Sequence, residues 1–549
     1  MVASIATSSA PTARKRERSP APKDDADLAF ASTPKADSVP SKPVDYGWPA
    51  PSSALHDAEQ FILQSVRSGQ RILIVPDKDA DGLSAGAILH RTLRQLGVEN
   101  SRISVHLMSK GNHPGSSKER EAMEAIQAKW VIVLDQGSRE GPPLVRGAEH
   151  GWQWHGHISA TSARSDSEST LSVTSANRVH TMILDHHFLT DPLSGGPKGA
   201  LMVNASHSAP VATTALLTWH ICRPLLTRSK SQGGGGLSDQ EAEALVDWLC
   251  LIGTMGDLGV SLKWEPPFPN MDAKIKMWTK KRIGTAIALL NAPRRTPTFD
   301  TISAWRVLLK ASSPASITDA LQSPTDDPEF SSDVARLYQA RETVATETER
   351  CTHTPPKFSK DGRVALLRIH SAFQVHPSIA TRWSGTLRGA KKLQAVMCAN
   401  DGYSEVGGGD EPKASGGMTH FSCRIAQAAK RRAEDPNLIE LLHDYAARDP
   451  SFLRDLKAAT EGQEQAPEAD VDPTTTSTTD QSETRVSVGN FARGHRQASG
   501  GIIPHAFFER LVNLMEIGVK DESASGSPSK KRKTEPVQSN TISNYFKKA

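Results

Sequence analysis

Three carboxylates stand at alternate positions in the segment Pro76-Asp77-Lys78-Asp79-Ala80-Asp81-Gly82. Carboxylates crowded this closely repel one another unless a hard cation neutralises them, so the segment points to a bound divalent metal. An apolar run, Ile72 to Val75, precedes it and a helical pattern, Ala85 to Leu96, follows. These flanks place the carboxylates at the C-terminal edge of a strand, where open α/β sheets bind ligands, rather than in a solvated acidic turn or an incomplete calcium loop. Asp135-Gln136-Gly137-Ser138 follows a second apolar run, and Asp185-His186-His187 follows a third. A single Asp after a strand often does no more than cap the next helix. A His pair beside carboxylates says more, because a mixed nitrogen and oxygen donor set suits Mn²⁺, Fe²⁺, Zn²⁺ or Mg²⁺. Gly253-Thr254-Met255-Gly256-Asp257 brings one further carboxylate to the expected end of a helix.

The elements that must position these residues read as α/β. Ile72–Val75, Val131–Leu134 and Met182–Leu184 are short apolar runs separated by helical or irregular stretches, the pattern of a largely parallel sheet. Residues 1–54 lack periodicity and are rich in Ser, Pro and charge, so a disordered tail is expected there. Order should begin near Leu55, and a catalytic α/β domain should run from 55 to 264. Ser/Thr-rich residues 156–178 and the stretch 229–236, which ends in four glycines, read as surface insertions. Ser238 with Glu241 forms a capping box that opens a helix expected to run through Leu251. A helical linker at 265–360 should lead to a second, smaller α/β domain at 361–518, interrupted at about 459–485, and a second tail at 519–549.

The four acidic segments, in this order, resemble the four motifs of the DHH phosphoesterase superfamily. The form DxDADG in the first and GTxxD in the fourth resemble its RecJ-like branch of single-strand exonucleases. The resemblance implies a pair of divalent ions, Mn²⁺ or Mg²⁺. Asp135 would bridge them, with Asp79 on one and Asp81, His186 and Asp257 around the other. His187, beside Asp185, would act on the scissile phosphate. Relatives often carry a His where this chain has Val75, and Asp77 is expected to complete that ion's shell instead.

Three islands in the second unit, His376-Pro377-Ser378-Ile379-Ala380, Phe421-Ser422-Cys423-Arg424 and Gly494-His495-Arg496-Gln497-Ala498-Ser499-Gly500, resemble the DHHA1 domain that follows the catalytic domain in this branch. They imply nucleic-acid phosphate contacts from Ser422, Arg424, Gly494, His495 and Arg496. Relatives have GGH where this chain has Arg493-Gly494-His495.

Composition narrows the remaining classes. With 65 Lys and Arg against 61 Asp and Glu, the net charge of +4 leaves any nucleic-acid surface to a local basic patch. Five well-spaced cysteines with no CxxC pair exclude a zinc ribbon and argue against a disulfide framework. No apolar run reaches membrane-spanning length, so no membrane partner is expected. Lys530-Lys531-Arg532-Lys533 reads as an address for a nuclear import receptor. Ile542, Tyr545 and Phe546 near the C-terminus could form one helical turn with three apolar anchors, which resembles the peptide that binds the replication sliding clamp. The sequence thus points to a nuclear exonuclease on single-stranded DNA or RNA, acting in replication or repair. A phosphodiesterase of short oligonucleotides or cyclic dinucleotides, and a non-catalytic replication scaffold, are the competing readings.

Overall fold

The computed structural model of the chain describes residues 47–152, 178–189, 195–231, 237–322, 326–387, 391–403, 417–432, 434, 436–461 and 491–519. Two sheets organise them. The first has five parallel strands, β1 (Ile72–Pro76), β2 (Ile103–Val105), β3 (Trp130–Leu134), β4 (His180–Asp185) and β5 (Ala200–Asn204), in the order β2-β1-β3-β4-β5. All three strands expected from the sequence are present. β2 and β5 were missed: β2 has only three residues, whereas β5 carries a four-residue apolar run, Ala200–Val203, that sequence reading overlooked.

A parallel sheet needs cover on both faces, which is why its strands read as unbroken apolar runs. Ile72, Ile74, Ile132, Leu134, Met182 and Leu184 face one core, while Leu73, Val75, Val131, Val133 and Ile183 face another. The covering helices are α1 (Ser52–Arg67), α2 (Ala80–Gln95), α3 (Ser117–Ala125), α4 (Thr214–Ser231), α5 (Asp239–Leu258), α6 (Asp272–Trp278), α7 (Lys280–Asn291), α8 (Thr301–Lys310), α9 (Pro314–Thr318) and the first part of α10 (Pro328–Thr352). The Ser238–Glu241 capping box that opens α5 is present.

Several boundaries differ from expectation. Order begins before Leu55: α1 starts at Ser52, and Trp48 donates its indole N–H to Pro210 O at 2.9 Å while meeting Phe268 edge-on. Helix α5 continues past Leu251 to Leu258, so Asp257 lies in its last turn rather than beyond it. The stretch 229–236 begins as helix, since α4 extends through Ser231. The segment 265–360 is more than a linker. Ile283, Leu290, Trp305, Leu308, Phe330 and Leu337 belong to the first core, and only the later part of α10, through Val344 and Cys351, joins a core of the second unit. The expected insertions at 156–178 and 459–485 fall almost wholly outside the described residues, as do the basic cluster and the three C-terminal anchors.

The second sheet is mixed. Strands β6 (Lys357–Phe358), β7 (Val364–Ile369), β8 (Ala395–Asn400), β9 (Met418–Ile425), β10 (Arg493–His495) and β11 (Ala498–Pro504) take the order β10-β11-β9-β8-β7-β6, with only β7 and β8 parallel. Helix α11 (His376–Thr386) lies against β8 and β9; α12 (Gln427–Arg431), α13 (Leu438–Ala446), α14 (Phe452–Glu461) and α15 (His505–Leu514) complete the unit.

Candidate metal centre and facing basic wall

Register in the first sheet decides where the carboxylates meet. Pro76 pairs with Leu134, Leu134 with Leu184, and Asp185 with Asn204, so β1, β3 and β4 end at one level. The strand order reverses between β1 and β3, and a reversal of this kind opens a crevice at the carboxyl ends of the strands. Asp77, Asp79 and Asp81 follow one side of that crevice and Asp135 the other. Asp135 has φ 64°, in the left-handed region that Asp tolerates better than most residues.

Each side chain has a physical reason for its place. Asp79 caps α2, accepting from Asp81 N at 3.0 Å and Gly82 N at 3.2 Å. Asp81 is fully buried and accepts from Thr214 N at 2.8 Å and Ala215 N at 3.0 Å, the first amides of α4. These amides lie at the positive end of the helix dipole. Thr214 also donates its hydroxyl to Asp135 Oδ1 at 3.0 Å. Asp185 accepts from Ser138 N, His186 N, His187 N and His187 Nδ1 at 2.8–3.2 Å. His186 directs Nε2 into the middle, 3.1 Å from Asp135 Oδ1, 3.2 Å from Asp257 Oδ2 and 3.8 Å from Asp81 Oδ2. Asp257 can approach because position 253 is glycine. A Cβ there would stand 2.3 Å from Ala215 Cβ and 2.8 Å from Asp81 Oδ1, forcing α5 away.

The donor atoms form three overlapping groups, each within 4.8 Å: Asp77, Asp79 and Asp135; Asp81, His186 and Asp257; Asp135, His186 and His187. Every metal-ligating residue expected from the sequence falls in one of them. Val75 is buried in the core, whereas Asp77 groups with Asp79 and Asp135.

The electrostatics suit a divalent cation. Burial first, and then the neighbouring Asp257 carboxylate, push Asp81 up to about 7. Burial and the charges of Asp81 and Asp79 push Asp135 well above the usual carboxylate range. The acidic cluster thus lacks positive charge that a metal would supply. Desolvation opposes protonation of His186, but Asp257 and Asp81 outweigh it and raise the imidazole to about 9. Desolvation likewise opposes protonation of His187, which Asp185 raises to about 9. Asp185 itself is held well below the usual range by both rings despite its burial. It therefore serves as an anionic anchor for His187.

Asp77, Asp79, Asp135, His186, His187 and Asp257 line a cleft of about 400 Å³ together with a basic group, Arg294, Arg295 and Arg424, and with Ala498 beside them; Arg294 Nη2 lies 3.7 Å from Asp79 Oδ2. Arg424 is steadied by hydrogen bonds from Nη1 to Ser422 Oγ and Cys423 O, both 2.9 Å. Arg295 donates to Ser378 Oγ at 2.9 Å, and burial lowers its guanidinium to about 10. Asn291 Oδ1 accepts from Ala80 N at 3.0 Å and from Arg294 Nε at 3.1 Å, tying the basic wall to the first acidic motif.

Of the expected phosphate-binding residues, Arg424 reaches the cleft and Ser422 positions it. Gly494 sits in the β10–β11 hairpin with φ 111°, and a Cβ there would lie 2.5 Å from Ala498 O, so the turn itself requires glycine. His495 ends β10 with its backbone paired to Ala498. Arg496 is exposed in the turn and is not among the cleft-lining residues. Sequence reasoning missed Thr214, Asn291, Arg294 and Arg295. The doublet Arg294-Arg295 after Pro293 was a legible signal, a basic pair closing an apolar helix. Thr214 left none, since its role comes from which helix terminus meets Asp81.

No protein-family model matches the chain, and no curated protein matches it. Among solved structures it is similar to RecJ in complex with Mn²⁺ from Thermus thermophilus, at 16% identity and TM-score 0.47 over 84% of this chain and 54% of that one. It is also similar to exonuclease RecJ bound to manganese, at 16% identity and TM-score 0.46 over 84% and 93%. A third is the DHH domain of a member of a family of ribosomal proteins, at 12% identity and TM-score 0.49 over 84% and 90%. The chain spans about half the length of the Thermus protein. The likeness to these structures is one of fold.

Proposed function

We propose that the chain is a metal-dependent phosphodiesterase that degrades single-stranded nucleic acid from an end. The observation that carries this reading is a cleft lined both by carboxylate and imidazole donors from four segments and by three guanidinium groups. Asp77, Asp79 and Asp135 would hold one divalent ion, and Asp81, His186 and Asp257 a second. Asp135, 3.1 Å from His186, stands between the two groups. Mn²⁺ fits the mixed donor set, with Mg²⁺ as the alternative. When bound, such a pair lowers the pKa of a coordinated water and neutralises phosphate oxygens.

The chain's own residues do the rest. Arg294, Arg295 and Arg424 bind backbone phosphates and orient the strand across the acidic floor. His187, with Nδ1 held 2.8 Å from Asp185 and its protonated form favoured by that carboxylate, would offer its other N–H to charge developing on the phosphate. Thr214 and the first amides of α4 keep Asp135 and Asp81 in place.

We extend the proposal to nuclear replication or repair, supported by Lys530–Lys533 and by Ile542, Tyr545 and Phe546 as candidate contacts for an import receptor and a sliding clamp. The test of the enzymatic reading uses single-stranded DNA and RNA labelled at either end, with Mn²⁺ or Mg²⁺. Mononucleotide release with one polarity supports it. Activity confined to short oligonucleotides or cyclic dinucleotides would replace the substrate. Absence of metal-dependent cleavage on every single strand would overturn the assignment.

A further inference from the structure

Eight large hydrophobic side chains are exposed among the described residues, and two of them directly follow members of the acidic floor. Phe188 follows His187 and is 59% exposed; Leu258 follows Asp257, is 40% exposed and lines the cleft. Phe188 is not itself among the residues that line the cleft, but His187 directly before it is. Phe188 is also braced. Its ring stacks on His207 with centroids 5.9 Å apart and planes 24° apart. His207 is fixed by a hydrogen bond from Nε2 to Leu189 O at 2.7 Å and lies three residues beyond Asn204, whose side chain donates to His187 O at 3.0 Å. The Phe188 ring is thus a rigid surface coupled through backbone and hydrogen bonds to the residue that faces the phosphate. A side chain that is rigid before binding loses little conformational entropy when a planar ligand settles on it.

Building on the phosphodiesterase reading above, we propose that Phe188, backed by His207, is a stacking platform for a nucleobase adjoining the scissile phosphate, with Leu258 as a further apolar contact in the cleft. The charges in the cleft suit phosphates, whereas an aromatic face suits a base of any sequence, because every nucleobase has a π-face. The site therefore selects nucleotides over pyrophosphate or polyphosphate, which carry no base. Among nucleic acids it favours strands whose end bases are unpaired, since a base held in a duplex cannot leave its stack to lie on Phe188.

The inference is tested on the full chain with Mn²⁺, using a normal single strand and one carrying abasic sites at its terminal two nucleotides. A strand with terminal 2-aminopurine serves as the binding probe with Ca²⁺ in place of Mn²⁺. In the parent protein, abasic termini should raise KM about tenfold, and 2-aminopurine should be quenched on binding. Phe188→Ala should raise KM for the normal strand by a similar factor, change kcat little, abolish the extra quenching and erase the difference between normal and abasic strands. Phe188→Trp should restore all of these. If the parent cleaves the normal strand but Phe188→Ala keeps both the abasic penalty and the quenching, the platform is wrong while the phosphodiesterase reading stands. If the parent cleaves neither strand, both fall together. Circular dichroism of Phe188→Ala, expected to match the parent because the side chain is exposed, separates these outcomes from misfolding.

Discussion

The two walls of the cleft are built in opposite ways. The acidic wall comes from short segments at the ends of β1, β3 and β4 and from the last turn of α5, so each piece is local and is positioned by the register of one sheet. The basic wall has no such frame. Arg294 and Arg295 stand after α7 in the first unit, whereas Arg424 comes from β9 of the second. It forms only where the two units meet, as in the bond from Arg295 to Ser378. The difference teaches a division of labour. A metal centre needs fixed short distances, which a sheet edge provides; strand binding needs charge spread over a longer path, which residues drawn from two packed sheets can supply.

If that division holds, substitutions on the acidic wall should stop chemistry and those on the basic wall should weaken binding. Asp135→Ala should show the largest effect, a loss in kcat of at least about 10³-fold with the fold retained, because Asp135 belongs to two of the three donor groups and lies 3.1 Å from His186 of the third. Retained folding is expected since the buried, repelled carboxylate costs stability in the metal-free chain. Steady-state rates together with circular dichroism check this, and activity within tenfold of the parent would break the comparison. His187→Ala should lower kcat by about 10²–10³-fold while leaving metal content unchanged, as for a lost hydrogen-bond donor to developing charge. Metal analysis by mass spectrometry decides it; a fall in bound metal would move His187 into the ligand set. Thr214→Val, which removes only the hydroxyl that orients Asp135, should weaken metal affinity by about 10–100-fold, read by Mn²⁺ titration. Arg424→Ala should be smallest in kcat: KM for long strands rises about tenfold and the slope of log affinity against log salt falls by about one. An equal loss on a minimal dinucleotide would place Arg424 in the chemistry and erase the contrast between the walls.

The same difference explains what the sequence disclosed. The acidic wall was legible almost residue by residue, because strand, carboxylate and following helix are contiguous and the spacing carries the meaning. The grouping of Asp77 with Asp79 and Asp135 was readable for the same reason. The basic wall was read only at Arg424, although the doublet Arg294-Arg295 stood in plain view. Arg294 and Arg295 lie in a stretch whose helices looked like a linker, and only tertiary packing reveals that Ile283, Trp305 and Phe330 share the first core. Arg496, next to a strong-looking motif, turned out to lie in the exposed hairpin turn, because the pattern fixes the turn but not which cation faces the cleft. β2 escaped detection because three residues give too little to stand out, but β5, with the apolar run Ala200–Val203, was as legible as the strands that were recognised.

Within the fold His186 and Arg294 offset the carboxylates of the acidic wall only in part, which leaves charge for the divalent ion of the proposed metal site to neutralise. A carboxyl whose folded pKa lies above its unfolded value contributes stability below the unfolded value and loses it as pH rises through the folded one. For Asp81 that window runs from its usual 3.8 up to about 7, and Asp135 shifts in the same direction. Thermal unfolding of the metal-stripped chain, with and without Mn²⁺ at pH 5.5 and pH 8, tests this most directly. The metal-free chain should unfold at a lower temperature at pH 8, and Mn²⁺ should raise the midpoint there far more than at pH 5.5, because protons compete with the metal for the same oxygens. The Asp135→Ala variant should lose most of that metal-dependent gain. A midpoint that Mn²⁺ leaves unmoved at pH 8 would contradict the account.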